Sequence, residues 1–246
     1  MRKVNINLCV LLCTMFLCMC VIAHAEQKSS AMEQHHITLE GRETSYWLYT
    51  PQDTAGNNPL IVYLHGGTSR GDDLSLLVEH EGLPQYLLEG KQTPPAYIVM
   101  PQASETIRSW DELDAEIIEL VSYLTEHYPI DPARIALTGH SMGGIGTWLI
   151  GFEHQDVFKR IAPLSGAISR KLSNRLDRLT LPVWSFVGTD ESDQNAYTSN
   201  TSLLPELMQS NKDTQQIQLT ILEGYKHREV VRAYLEYDIL GWLAGK

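Results

Sequence analysis

Ile135-Ala136-Leu137-Thr138-Gly139-His140-Ser141-Met142-Gly143-Gly144-Ile145-Gly146-Thr147-Trp148 is the stretch on which the reading of this chain turns. Ile135 to Thr138 is a short apolar run of strand type, and Ile145 to Phe152 is apolar at helical length. Between them stands Gly139-His140-Ser141-Met142-Gly143, the G-x-S-x-G pattern in the strand–turn–helix setting that gives it meaning. Side chains two residues either side of the serine collide in so sharp a turn, so glycine occupies both places. The serine backbone is then held in a sparsely allowed conformation, which costs on the order of 1–3 kcal/mol. In return Ser141 Oγ stands at the carboxyl edge of a sheet beside a helix N-terminus, where amides and macrodipole favour a developing oxyanion.

Outward from this turn the chain alternates. Leu60–Leu64, Tyr97–Met100, Ile161–Leu164, Val183–Val187 and Ile217–Leu222 are further apolar runs without polar alternation, the mark of strands buried on both faces. His36–Leu39 and Ser45–Tyr49 read as a hairpin around Glu40-Gly41-Arg42. Leu113, Ile117, Leu120, Val121 and Leu124 share one helical face, with Ser109 and Glu112 as a capping box before it and Pro129 beyond it. Leu203, Leu204, Leu207 and Met208 predict another helix, and Glu229–Leu243 a last one. The expected fold is α/β: a doubly wound, mostly parallel sheet flanked by helices. The segment from Gly166 to Leu181 has room for about one helix, so a large lid is not expected.

A serine hydroxyl at its free pKa is a poor nucleophile and needs a base. His227 follows the strand Ile217–Leu222 and opens on the same sheet edge as Ser141. His35, His36, His80, His127 and His154 read as surface residues, and His140 cannot both flank Ser141 and serve as its base. An acid that orients the histidine belongs after Val183–Val187, where Gly188-Thr189-Asp190-Glu191-Ser192-Asp193 offers three carboxylates. Glu191, three places after the glycine, is favoured over Asp190; Asp193 reads as spare or capping charge. His65-Gly66-Gly67 after Leu60–Leu64 supplies the second oxyanion amide: the donors are the N–H of Met142 and of Gly67, with Thr68 the near alternative. His65 props that loop. Arg70, Asp72 and Asp73 read as a solvated loop in preference to a lining of the pocket mouth, and Trp110 and Trp148 as core in preference to a sugar platform.

These segments resemble the α/β-hydrolase superfamily, more narrowly small secreted esterases related to polyhydroxybutyrate depolymerases, feruloyl esterases and the "predicted peptidase" group. Tyr63-Leu64-His65-Gly66-Gly67, Met100-Pro101-Gln102, Ile130–Ile135, Gly139–Trp148, Pro182–Phe186 and Leu222-Glu223-Gly224 with His227 carry the likeness over roughly residues 40–245. The resemblance implies a serine hydrolase that cleaves small-molecule or carbohydrate-linked carboxylic esters through an acyl-enzyme, with no metal or organic cofactor. Peptide hydrolysis, acyl transfer and acyl-ligand binding without turnover are the alternatives on the same scaffold.

Composition agrees with a globular domain: 246 residues, 43% hydrophobic and 20% charged. A net charge of −11 excludes a basic nucleic-acid footprint. Met1–Ala25 reads as a secretory signal, with Arg2 and Lys3, the apolar run Leu8–Ile22 and the small-residue site Ala23-His24-Ala25. Secretion or export to a periplasm is the expectation, with residues 26–246 as one catalytic domain and no stable membrane insertion after the signal is removed. Cys9, Cys13, Cys18 and Cys20 all lie in that segment, so the mature chain carries no disulfide, thiolate metal site or cysteine nucleophile. Removal takes away two basic residues, leaving 17 against 30 acidic ones, a net of −13. Glu26–Gln34 is polar and expected to fray, and Asn200-Thr201-Ser202 is a glycosylation sequon in a host that glycosylates its secreted proteins.

Overall fold

The structure, a computed structural model, describes residues 31–39, 41–210 and 217–246. The expected signal Met1–Ala25 lies outside the described residues. The described chain forms one eight-stranded sheet: β1 (Met32–Leu39), β2 (Arg42–Tyr49), β3 (Asn58–Leu64), β4 (Tyr97–Pro101), β5 (Ile130–His140), β6 (Arg160–Leu164), β7 (Val183–Asp190) and β8 (Ile217–Lys226). Their order across the sheet is β1-β2-β4-β3-β5-β6-β7-β8. The first two pairings are antiparallel and the rest parallel. The helices between and after them are α1 (Leu83–Leu88), α2 (Asp114–His127), α3 (Met142–Glu153), α4 (Arg170–Ser173), α5 (Gln194–Ser210), α6 (Ala233–Glu236) and α7 (Ile239–Leu243).

The central strands are buried on both faces, as their unbroken apolar runs predict. On β3, Leu60, Val62 and Leu64 join the core beneath α2 and α3, while Ile61 and Tyr63 join the core beneath α1, α6 and α7. This is the period-two alternation of a strand with apolar cover on each side. Helix α2 buries Ile117, Leu120, Val121 and Leu124; each such side chain contributes about 1.5–3 kcal/mol. The capping box of Ser109 and Glu112 forms, on a 3₁₀ turn (Trp110–Leu113) that leads into α2.

One topological feature decides where chemistry can occur. After β3 the chain adds β4 on one side and then returns to add β5 on the other. The loops leaving β3 and β5 therefore diverge, and a crevice opens at the carboxyl ends of these two neighbours. Leu64 and Gly139 are paired in register at that end, so the loops beginning at His65 and His140 start side by side.

Four expectations are corrected. Ile217–Leu222 is not buried on both faces: β8 is the edge strand, only its Ile217 and Leu222 are buried, and Ile221 is exposed. The single last helix is three short pieces, a 3₁₀ turn (Glu229–Arg232), α6 and α7, because Tyr237 is extended and Asp238 restarts the chain by capping Gly241 N. Met32–Gln34 does not fray but pairs with Trp47–Tyr49 in β1. Asn200 is no glycan acceptor: it is fully buried, and its Nδ2 donates to the carbonyls of Gly166 and Ala196 at 2.9 and 2.7 Å. From Gly166 to Leu181 the chain holds only α4 and a 3₁₀ turn (Leu176–Arg178), with no lid-sized insertion.

Candidate active site

The turn after β5 has the geometry that its glycines require. Ser141 has φ 59° and ψ −117°, a positive φ rare outside glycine. A Cβ at Gly143 would lie 1.8 Å from the Leu64 carbonyl oxygen, and one at Gly139 would lie 2.6 Å from the same atom. Backbone thus packs on backbone with no space for a methyl. Ser141 N–H is held by the Leu164 carbonyl at 3.0 Å, and Ser141 O accepts from Ile145 N at 2.9 Å. Met142 is the first residue of α3, so its N–H has no partner within the helix.

His227 Nε2 lies 2.8 Å from Ser141 Oγ, and its Nδ1 lies 2.6 Å from Glu191 Oε2. Of the three carboxylates at and after the end of β7, Glu191 alone reaches the imidazole. Asp190 is exposed and meets Thr189 Oγ1 at 3.3 Å. Asp193 accepts from Asn195 N at 3.0 Å at the start of α5, a capping charge. The Glu191 side chain is buried, and its Oε1 accepts from Ser165 Oγ and, at 3.4 Å, from Gly188 N. Burial pushes its pKa up, but the hydrogen bonds from His227 and Ser165 outweigh this and hold the carboxyl below its usual range. A buried carboxylate with three donors is compensated rather than orphaned.

Ser165 was not legible as a site residue. It is 1% exposed, has φ 47°, and is anchored by its N–H to Phe186 O at 2.8 Å. The signal in the sequence is slight: a small polar residue before a glycine, Ser165-Gly166, just after the strand run Ile161–Leu164.

The loop after β3 is equally constrained. Ala103 N–H donates to His65 Nε2 at 3.0 Å, so the ring proton sits on Nδ1, which donates to Gly66 O at 2.7 Å. Because the peptide is planar and trans, pinning the Gly66 carbonyl aims the Gly67 N–H the opposite way. Arg70 does the same one peptide later: its Nε donates to Gly67 O at 2.9 Å and its Nη1 to Ile107 O at 2.8 Å. Arg70 is therefore no solvated loop residue, because backbone carbonyls on two loops hold its guanidinium. Asp73 caps the following 3₁₀ turn through Ser75 N at 2.9 Å, and Asp72 is exposed. Gly66 abuts the serine turn, since a Cβ there would lie 3.6 Å from Ser141 Cβ. Trp110 and Trp148 are fully buried and brace the loops, donating to His65 O and Gly166 O at 3.0 and 3.2 Å.

His140 does not face Ser141 Oγ. Its Nε2 donates to the His227 carbonyl at 2.8 Å, tying the serine turn to the histidine loop. Burial lowers both His65 and His140 to about 4, so both are neutral at pH 7. Of the histidines expected at the surface, His36, His80 and His127 are exposed, whereas His35 stacks half-buried on Tyr46 and His154 pairs with Asp114 at 2.8 Å.

A mostly parallel sheet with a serine, a histidine and a glutamate linked at its carboxyl edge defines an α/β hydrolase of the esterase group. The chain belongs to the Esterase family (Putative esterase), which matches residues 38–230. That membership places it among carboxylic-ester hydrolases. Among solved structures, it is similar to a thermostable esterase at 22% identity and TM-score 0.70, over 87% of this chain and 63% of that one. A feruloyl esterase module from Clostridium thermocellum, complexed with sinapinate, matches at 18% identity and TM-score 0.66, over 86% and 87% of the two chains. The S-formylglutathione hydrolase FrmB from Staphylococcus aureus matches at 15% identity and TM-score 0.66, over 89% and 98%. At these identities the likeness speaks to the fold. Among curated proteins no match is found.

Proposed function

We propose that the chain hydrolyses carboxylic esters by serine acyl transfer to water, with Ser141, His227 and Glu191 as nucleophile, base and orienting acid. The observation that carries this reading is the continuous contact from Ser141 Oγ to His227 Nε2 at 2.8 Å and from His227 Nδ1 to Glu191 Oε2 at 2.6 Å. Glu191 holds the proton on Nδ1, leaving Nε2 free to accept the serine proton as Oγ attacks the ester carbonyl. The N–H groups of Gly67 and Met142 receive the oxyanion; one such donor contributes about 3 kcal/mol to the transition state. His227 then returns its proton to the leaving alcohol, and later activates water to release the acid.

Small-molecule and carbohydrate-linked esters are the substrate class that the family likeness suggests. Export across a membrane rests on the Met1–Ala25 pattern. The test is labelling by a fluorophosphonate probe, with turnover of p-nitrophenyl esters of graded chain length. Wild-type protein is expected to be labelled at Ser141. Ser141→Ala is expected to lose labelling and about 10⁴-fold or more in kcat with its thermal melt retained. Near-full turnover by that variant would refute the assignment.

A further inference from the structure

Beside the serine turn lies a cleft of about 290 Å³ whose lining includes Thr68, His80, Glu81, His140, Arg228 and Arg232. Its charges are unevenly spent. Arg232 Nε and Nη2 meet the two oxygens of Glu81 at 3.1 and 3.2 Å, and Arg232 Nη1 meets Glu229 at 3.5 Å. The other Glu229 oxygen accepts from Lys226 N at 2.9 Å. Tyr86 Oη also donates to Glu81, at 3.0 Å, so both carboxylates of the cleft are occupied by one guanidinium, one phenol and backbone. Arg228, the residue after His227, has no ion-pair or hydrogen-bond partner for its side chain among the described residues. It brings an unspent positive charge to a wall that also contains His140 and Thr68, neighbours of the nucleophile and of the oxyanion loop. The protein as a whole is strongly acidic and repels anions, so this guanidinium runs against the global field.

We infer that the cleft receives an anionic substituent of the ester, a carboxylate or comparable acid placed a few bonds from the scissile carbonyl, and that Arg228 is the residue that selects it. A guanidinium offers a planar fork of donors matched to a carboxylate. Neutral esters bind without using it. The inference rests on the serine-esterase reading and names its substrate class.

The experiment measures kcat/KM for two matched pairs of esters in wild type, Arg228→Gln and Arg228→Glu. The acyl-side pair is mono-p-nitrophenyl succinate against p-nitrophenyl butyrate. The alcohol-side pair is 4-acetoxybenzoate against its methyl ester. In the arm whose acid reaches the cleft, the anionic-to-neutral ratio is expected to fall about 10- to 100-fold in Arg228→Gln, and further in Arg228→Glu. The arm that responds tells which side of the ester occupies the cleft. A change below threefold in both arms overturns the inference. If wild type turns over none of the four esters, the esterase reading fails by itself. The cleft is then judged by calorimetric titration with monomethyl succinate and 4-hydroxybenzoate: affinity weakened about tenfold or more by Arg228→Glu sustains it, and no such loss overturns it.

Discussion

The serine turn and the acid loop sit on the same sheet edge and are built by opposite means. Ser141 is placed by backbone: glycines at 139 and 143 let β3, β5 and α3 close to distances at which a methyl group would strike the Leu64 carbonyl. Glu191 is placed by hydrogen bonds to its own side chain: the Ser165 hydroxyl after β6, the Gly188 backbone N–H on β7 and the His227 ring after β8 converge on one carboxylate. The first device is steric and nearly all-or-none. The second is a hydrogen-bond network whose members can be removed one at a time, with graded losses.

The comparison can be broken hardest at Glu191. Glu191→Gln leaves the space filled but removes the charge that fixes the imidazole tautomer; a fall of about 10⁴-fold in kcat is expected from steady-state kinetics, with Tm little changed. The steric side is probed by Gly143→Ala, which forces a Cβ to within 1.8 Å of Leu64 O. A stability loss on the order of 4–5 kcal/mol is expected by urea denaturation, and a variant as stable as wild type would refute the steric account.

Acid should attack the steric side first. His65 and His140 are held near 4 by burial, against about 6.5 in the unfolded chain. Between those values the unfolded chain binds more protons, so stability falls as pH drops from about 6.5 towards 4. Each histidine contributes up to about 3 kcal/mol to that decline, which thermal melts across the window measure. Glu191 is displaced in the same downward direction from a lower starting value: its contribution is present above its unfolded value and is lost only as pH falls through the depressed folded one. A flat melt profile from pH 7 to pH 4.5 would contradict the neutral, buried state of both rings.

Smaller effects separate members of the network. Ser165→Ala removes a donor to Glu191, so its carboxyl pKa rises and the acidic limb of the kcat–pH profile moves up, with about a tenfold loss in kcat at neutral pH. A loss of activity without movement of that limb would assign Ser165 to packing alone. Asp190→Asn, next to Glu191 but exposed and turned away from the imidazole, is expected to change kcat by less than about twofold.

What the amino-acid sequence determined by itself was whatever depends on neighbours in the chain. The apolar runs of β3 to β7, the amphipathic face of α2, the hairpin of β1 and β2 and the glycines around Ser141 were legible because strand burial, helical period and turn sterics act over a few residues. His227 was legible from chain order. The choice of Glu191 over Asp190 stayed open in the sequence, and the roles of Ser165, Arg70 and His140 and the unpaired charge of Arg228 were invisible there. Each depends on which loops the strand order brings together. The reversal at β3 and the parallel stacking of β5 to β8 bring residues 67, 141, 165, 191 and 227 to one edge. Hydrogen-bond reach across that edge is a property of three-dimensional distance, which local sequence does not encode.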